Sequence, residues 1–226
     1  MKAHKVSLIL PCYNEEQALP LILKAIPEFI NEVIVVDNGS TDKSRAIAQQ
    51  YPVMVVFEEK RGYGSALIRG INESKGDVLV LMDCDGTYSF EDVRKMLHYM
   101  EEHSIDFLHG CRLPIEDKNA MSLINNMCNR LTTRMINFLF NLNIKDFQSG
   151  LIVFKRELWN SIAFKNKGME FSQNIKIYSH LHKGSRCAER KIDYKPRIGK
   201  SKFSKVHDSI CILTSLANIC IARFVK

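Results

Sequence analysis

Short apolar runs alternate with amphipathic stretches along the first half of the chain. Residues 6–10, 33–36, 53–57 and 78–82 are rich in β-branched side chains and short enough to be buried strands. Between them, residues 18–26, 44–50 and 65–74 carry apolar side chains at helical spacing. Strand, helix, strand, repeated, predicts right-handed crossovers and a mainly parallel sheet covered by helices on both faces. Ser89 and Asp92 have the spacing of a capping box that opens a helix over 90–100, and residues 105–109 read as a fifth strand.

Past Gly110 the rhythm changes. Residues 119–141 predict one long helix carrying Arg130 and Arg134, and 151–154 a return to the sheet. A helix over 171–183 and a strand over 186–194 follow, then a basic loop over 195–205 marked by Pro196 and Gly199. From Val206 a final helix places Ile210, Leu213, Leu216, Ile219, Ile221 and Phe224 around a narrow polar stripe of Thr214, Ser215 and Asn218. Such a helix suits a membrane surface, a core position or a contact between copies of the chain. Its uncharged part, residues 209–222, spans about 21 Å as a helix against a hydrocarbon core of about 30 Å, so it is not expected to cross a membrane. The expected division is one catalytic-sized domain over 1–205 and an appended helix over 206–226.

The 226 residues suit one domain, and 46% apolar with 25% charged residues is ordinary globular composition. Charge changes the picture more. The chain holds 32 Lys/Arg against 25 Asp/Glu, but residues 1–110 hold 11 against 17 and residues 111–226 hold 21 against 8. A basic second half suggests an anionic partner, whether phosphate, lipid surface or nucleic acid, or simply a solvated basic face. Seven cysteines without a Cys-x-x-Cys pair argue against a disulfide framework or a zinc site. With no signal peptide legible, the cytoplasm is the expected compartment.

Ligands of open parallel sheets bind beyond the carboxyl ends of the strands, and here four strands in succession end in polar residues. The first runs into Pro11-Cys12-Tyr13-Asn14-Glu15-Glu16, and the second into Asp37-Asn38-Gly39-Ser40-Thr41-Asp42. The third runs into Arg61-Gly62-Tyr63-Gly64, and the fourth into Asp83-Cys84-Asp85-Gly86. Ser40 and Thr41 serve equally as turn and cap residues, whereas Asp37, closing a buried strand, suits a ribose hydroxyl or a base edge. Asp83 and Asp85, two apart, share one face. Paired carboxylates repel unless a cation joins them, and hard oxygen ligands call for Mg2+ or Mn2+.

As an ordered set these segments resemble family 2 glycosyltransferases of the GT-A fold. Within that family, the likeness is greatest to the dolichyl- or polyprenyl-phosphate mannose and glucose synthases. It extends through Gly110-Cys111-Arg112, Asp146-Phe147-Gln148-Ser149-Gly150 and Arg197-Ile198-Gly199-Lys200-Ser201-Lys202. The resemblance implies that Pro11, Tyr13, Asn14, Glu15, Asp37, Gly64 and Asp83 hold the nucleotide donor, and that Asp85, with Asp83, meets the metal. It implies that Arg112, Arg130, Arg197, Ser201 and Lys202 meet the acceptor phosphate or the diphosphate, while Asp146 and Gln148 line the sugar and acceptor side with Asp85 as the catalytic set. Gly86-Thr87 departs from the Leu-Gln common in such enzymes, which leaves the third metal ligand open.

The implied reaction is an inverting transfer of a hexose from UDP-glucose, UDP-N-acetylglucosamine or GDP-mannose to a lipid phosphate on the cytoplasmic face of a membrane. A phosphate monoester is already ionised near neutral pH, so it attacks without a strong base. Two alternatives stand beside this reading. A transferase with a saccharide or other hydroxyl acceptor would need Asp146 as a base. A nucleic-acid-binding protein would leave the paired carboxylates unexplained, so no nucleic-acid partner is expected.

Overall fold

The computed structural model describes residues 4–117, 119–162, 168, 170–200 and 214–221. Seven strands form one sheet: β1 (Val6–Cys12), β2 (Glu32–Asp37), β3 (Met54–Phe57), β4 (Val78–Leu81), β5 (Phe107–Cys111), β6 (Ile152–Lys155) and β7 (Cys187–Lys191). Among the described residues seven helices are interleaved: α1 (Leu19–Lys24), α2 (Ser44–Ala48), α3 (Tyr63–Glu73), α4 (Phe90–Glu102), α5 (Leu123–Phe140), α6 (Arg156–Ser161) and α7 (Phe171–Leu181). A further helical segment covers residues 214–221.

The spatial order is β3-β2-β1-β4-β6-β5-β7, parallel throughout except that β6 runs antiparallel to both of its neighbours. Cys12 lies opposite Asp37 and Asp37 opposite Phe57, so the first three strands end level and their loops open onto one edge. Successive strand residues face opposite sides, as the pleat requires. Leu8, Leu10, Val35 and Val80 pack with α1 and α4 on one face, while Ile9, Ile34, Leu79 and Leu81 pack with α3 and α7 on the other. Helix α3 lies close: a Cβ on Gly70 would fall 2.4 Å from Ile9 Cγ2.

The capping box forms as expected, with Ser89 Oγ accepting from Asp92 N at 3.1 Å. Helix α5 stops where Asn141 turns left-handed at φ 52°. Two features were not expected. Helix α6 follows β6 directly, and β6 itself is reversed. Just before β6, where the chain enters the sheet from the ligand edge, Gly150 N donates to Tyr88 Oη at 2.7 Å.

A third apolar cluster joins Ile136 and Phe140 of α5 to Ile144, Phe147, Ile177, Leu216 and Ile219. Two of the apolar side chains of the final helix thus belong to the core, and its Ser215 Oγ accepts from Asn174 Nδ2 at 2.6 Å, whereas Ile221 faces outward. Among the described residues no helix is long and apolar enough to cross a membrane. Helix α5 nevertheless leaves Leu123, Ile124, Met127, Leu131 and Phe138 exposed along one side.

Candidate active site

The loops after β1, β2 and β3 are tied to one another before they meet any ligand. Asn14, left-handed at φ 55°, accepts through Oδ1 from Thr41 N at 2.7 Å. Asn38 donates to the carbonyls of Glu58 and Lys60 and accepts from Gly62 N at 2.8 Å. Arg61 donates to Tyr13 Oη and lies 5.2 Å from the centre of its ring. The result is a wall of short, mutually braced loops at the carboxyl edge.

Below that wall lies a cavity of about 440 Å³. Asp83 and Asp85 reach it from the end of β4, and Arg112, Gln148, Tyr194 and Arg197 reach it from the second half of the chain. Tyr63 Oη donates to Asp83 Oδ1 at 2.8 Å. Burial, and then the charge of Asp85, push the Asp83 carboxyl up to about 6. Asp85 accepts through Oδ1 from Thr87 N and Thr87 Oγ1, at 3.0 and 2.6 Å. Its Oδ2 faces Arg197 Nη2 at 2.5 Å. The segment that carries Arg197 is fixed by Ile198 N donating to Asp85 O and Lys195 N to Thr87 O.

The two carboxylates fit a divalent cation in their chemistry: both are hard oxygen donors, and burial, followed by the charge of Asp85, already holds the Asp83 pKa up. Among the described residues no group of three or more His, Cys, Asp or Glu could hold a metal. Further ligands would therefore come from phosphate or water, which is usual for Mg2+.

From just past β5, Arg112 grips Asp146 through Nε at 2.7 Å and Nη2 at 2.9 Å, and its backbone N donates to the same carboxylate at 3.0 Å. Asn129 of α5 and the backbone N of Gln148 complete the set. Burial alone would raise the Asp146 pKa, but the charge and hydrogen bonds of Arg112 hold it well below the usual carboxylate range. Burial would lower that of Arg112, and Asp146 raises it further above the ordinary guanidinium value.

The structure brings Pro11, Tyr13, Glu15, Asp83, Asp85, Arg112, Gln148 and Arg197 together around the cavity. Others from the sequence reading stand behind it. Asn14 braces loops; Asp37 is buried and accepts from Ser40 N, the turn-forming role. Gly64 N donates to Gly168 O, and Asp146 is fully enclosed behind Arg112. Arg130 points outward on α5, where its Nε donates to Asn126 Oδ1. Ser201 and Lys202 lie outside the described residues. The cavity adds Asn38, Tyr63, Tyr88, Ser172, Gln173 and Tyr194. Tyr63 stands in the polar run after β3, so the sequence held a signal for it; Ser172 and Gln173 enter from a helix with no local mark of a site.

Residues 7–162 match the family model of glycosyl transferase family 2. A dolichyl-phosphate hexose transferase of Haloferax volcanii is 29% identical over 220 residues, which cover 96% of this chain and 94% of that protein. The low-salt glycan biosynthesis hexosyltransferase Agl6 of the same organism is 27% identical over 91% of this chain, but the match covers 51% of Agl6. A dolichol-phosphate mannosyltransferase of Pyrococcus furiosus is 30% identical over 76% of this chain and 52% of its own. The chain thus spans about half the length of these last two relatives. Glucosyl-3-phosphoglycerate synthase from Mycobacterium tuberculosis, solved with Mg2+ and uridine diphosphate, superposes with a TM-score of 0.77 at 19% identity, over 96% of this chain and 79% of that one. The same enzyme with Mn2+, UDP-glucose and phosphoglyceric acid gives 0.75 at 20% identity, over 96% and 80%. At such identities the likeness is one of fold, the GT-A arrangement.

Proposed function

The chain belongs to glycosyl transferase family 2, and from that premise we propose that it transfers a hexose from a nucleoside-diphosphate sugar to a polyprenyl or dolichyl phosphate, with inversion at the sugar carbon. The observation that carries the reading is that one cavity is lined both by the Asp83–Asp85 pair and by the guanidinium groups of Arg112 and Arg197, with Arg197 paired to Asp85. Paired carboxylates suit a cation-bound diphosphate, and arginine forks beside them suit a phosphate.

The loops after β1 and β2, with Tyr13 and Glu15, hold the nucleoside end. Asp83 and Asp85 would hold Mg2+ or Mn2+, which when bound would supply Lewis-acid stabilisation of a departing diphosphate. The Mg2+ and Mn2+ in the complexes of the mycobacterial synthase support that assignment. Arg112, its fork already aligned by Asp146, presents its remaining edge to the acceptor.

The state of Asp146 supports this acceptor class. Both of its oxygens are taken by Arg112, Asn129 and the backbone, which leaves no free lone pair aimed into the cavity to collect a proton. An acceptor that arrives ionised needs no such base. The names of the haloarchaeal hexose transferase and the Pyrococcus mannosyltransferase support a lipid phosphate. We place the membrane contact on the exposed side of α5, where Arg130 and Arg134 flank the apolar residues, because Asn129 on the same helix touches Asp146. The protein then sits peripherally on the cytoplasmic leaflet.

The test is a donor panel of UDP-glucose, UDP-N-acetylglucosamine and GDP-mannose, each with a short polyprenyl phosphate and Mg2+ or Mn2+, read by mass spectrometry. One glycosyl phosphate product is expected. Product with a free saccharide and none with the lipid phosphate would overturn the acceptor class.

A further inference from the structure

Lys176 lies in the middle of α7 with its side chain wholly enclosed, and the transfer chemistry does not call on it. Its Nζ donates to the carbonyls of Phe147 and Ser149, both at 2.8 Å, and of Asp146 at 3.3 Å. An ammonium has three donors, and one short loop supplies three acceptors. From the other side Glu189 accepts from the backbone N of Lys145 and of Asp146. The loop's far end delivers Gln148 and Gly150 to the cavity wall. Gly150 stands so close to Asp83 that a Cβ there would fall 2.4 Å from Oδ2.

We propose that Lys176 is a positioning residue for sugar transfer, its ammonium holding the carbonyls of residues 146–149 so that Gln148 and Gly150 close the acceptor side of the cavity against Asp83. The proposal rests on the transferase reading above. Stability does not account for this lysine, because an enclosed charge is costly to desolvate and an apolar residue of similar volume is commonly as stable or more so. What methionine cannot do is bind three carbonyls at once.

The surroundings set the working range of the grip. Asp146 faces Lys176 from the loop, Cys111 and His109 from β5, Arg112 from just past β5, Glu189 from β7, and His180 from its own helix. Burial lowers the Lys176 ammonium to about 7, against the upward pull of Asp146. Burial, and then the charge of Lys176, lower the His109 pKa well below the ordinary imidazole value, with Glu189 Oε1 3.7 Å from its Nδ1. A neutral amine has two donors and turns a lone pair toward the carbonyls, so the loop loosens as pH rises past neutrality.

Lys176→Met in the full chain tests the proposal through melting, calorimetric titration with UDP and GDP in Mn2+, hydrogen exchange over residues 145–150, and steady-state kinetics. A folded variant is expected, with nucleoside diphosphate affinity unchanged. Exchange should be faster and kcat lower by about tenfold or more, at nearly constant donor KM, a scale in keeping with a small misplacement near the reacting groups. Wild-type exchange and wild-type kcat in the variant would overturn it. Should the variant not fold, wild-type exchange of the same amides decides, corrected for the intrinsic pH trend: acceleration above neutral pH supports the proposal and pH-independent protection overturns it. A wild-type protein inactive with every donor would sink the transferase reading, and the exchange result would still decide the role of the lysine as a clamp on this loop.

Discussion

Arg197 Nη2 stands 2.5 Å from Asp85 Oδ2, at the one carboxylate oxygen that Thr87 leaves unclaimed. A guanidinium there occupies the position from which a divalent cation would be bound. The same side chain reaches Glu15 Oε1 at 3.5 Å, so it spans the mouth of the cavity. If Asp85 holds the metal as proposed, metal entry would require Arg197 to move, and the displaced side chain would be free for a phosphate.

Arg197→Ala should raise Mn2+ affinity in the absence of nucleotide by roughly two- to fivefold, the range that a partly screened ion pair of up to about 1 kcal/mol allows. Turnover should fall in the same variant, because a phosphate ligand has gone. Manganese titration by electron paramagnetic resonance reads the first effect. Unchanged or weaker metal binding would separate Arg197 from the cation site.

Asp85→Asn preserves shape and the Thr87 contacts but removes the charge that offsets a cation. Transfer is expected to drop at least about a hundredfold, or roughly 2.7 kcal/mol of barrier, with the melting temperature little changed. Kinetics across a Mn2+ series checks this; near-normal turnover would remove Asp85 from the metal site.

Asp146→Ala leaves Arg112 enclosed without its partner, and breaking such a pair costs on the order of 3–5 kcal/mol of stability. The pair also has a pH signature. Because the folded-state pKa of Asp146 is depressed, its contribution is present above the unfolded value of about 3.9 and is lost as pH falls toward the folded one. Wild type should therefore lose more stability than the variant on acidification below about pH 4. Denaturant melts at several pH values measure the difference, and parallel losses would argue against the linkage.

Leu131→Glu combined with Phe138→Asp, both on the exposed side of α5, should abolish flotation with anionic liposomes while turnover of a short water-soluble polyprenyl phosphate persists. Raised salt should weaken wild-type flotation through Arg130 and Arg134, each worth about 1 kcal/mol at an anionic surface. Equal flotation of variant and wild type would move the contact elsewhere.

What the sequence disclosed is what local chemistry determines. Strands β1 to β4 and the polar runs beyond them are legible because alternation and turn residues are written in consecutive positions. The direction of β6 is not, since it is a matter of how distant segments meet; the contact at its entry, Gly150 N to Tyr88 Oη, joins residues more than sixty apart. The enclosure of Asp146 by Arg112 is a tertiary fact too; its spacing alone suited an open catalytic acid equally well. Lys176 in Asn-Ile-Lys-Ile-Tyr reads as the solvated face of an amphipathic helix, yet α7 is buried nearly all round, so its charge is answered by carbonyls rather than water.

The reversed β6 also separates two inheritances within one sheet. On one side of it, β3-β2-β1-β4 come from residues 54 to 81 and earlier; on the other, β5 and β7 come from residue 107 onward. The acidic half of the polypeptide thus supplies the paired carboxylates of the cavity, and the basic half supplies Arg112 and Arg197. The halves interlock there, because Gly150 leaves no room for a Cβ beside Asp83, and Arg197 meets Asp85. A chimera exchanged at residue 105 should therefore keep its cavity only where these cross-seam partners are exchanged as pairs.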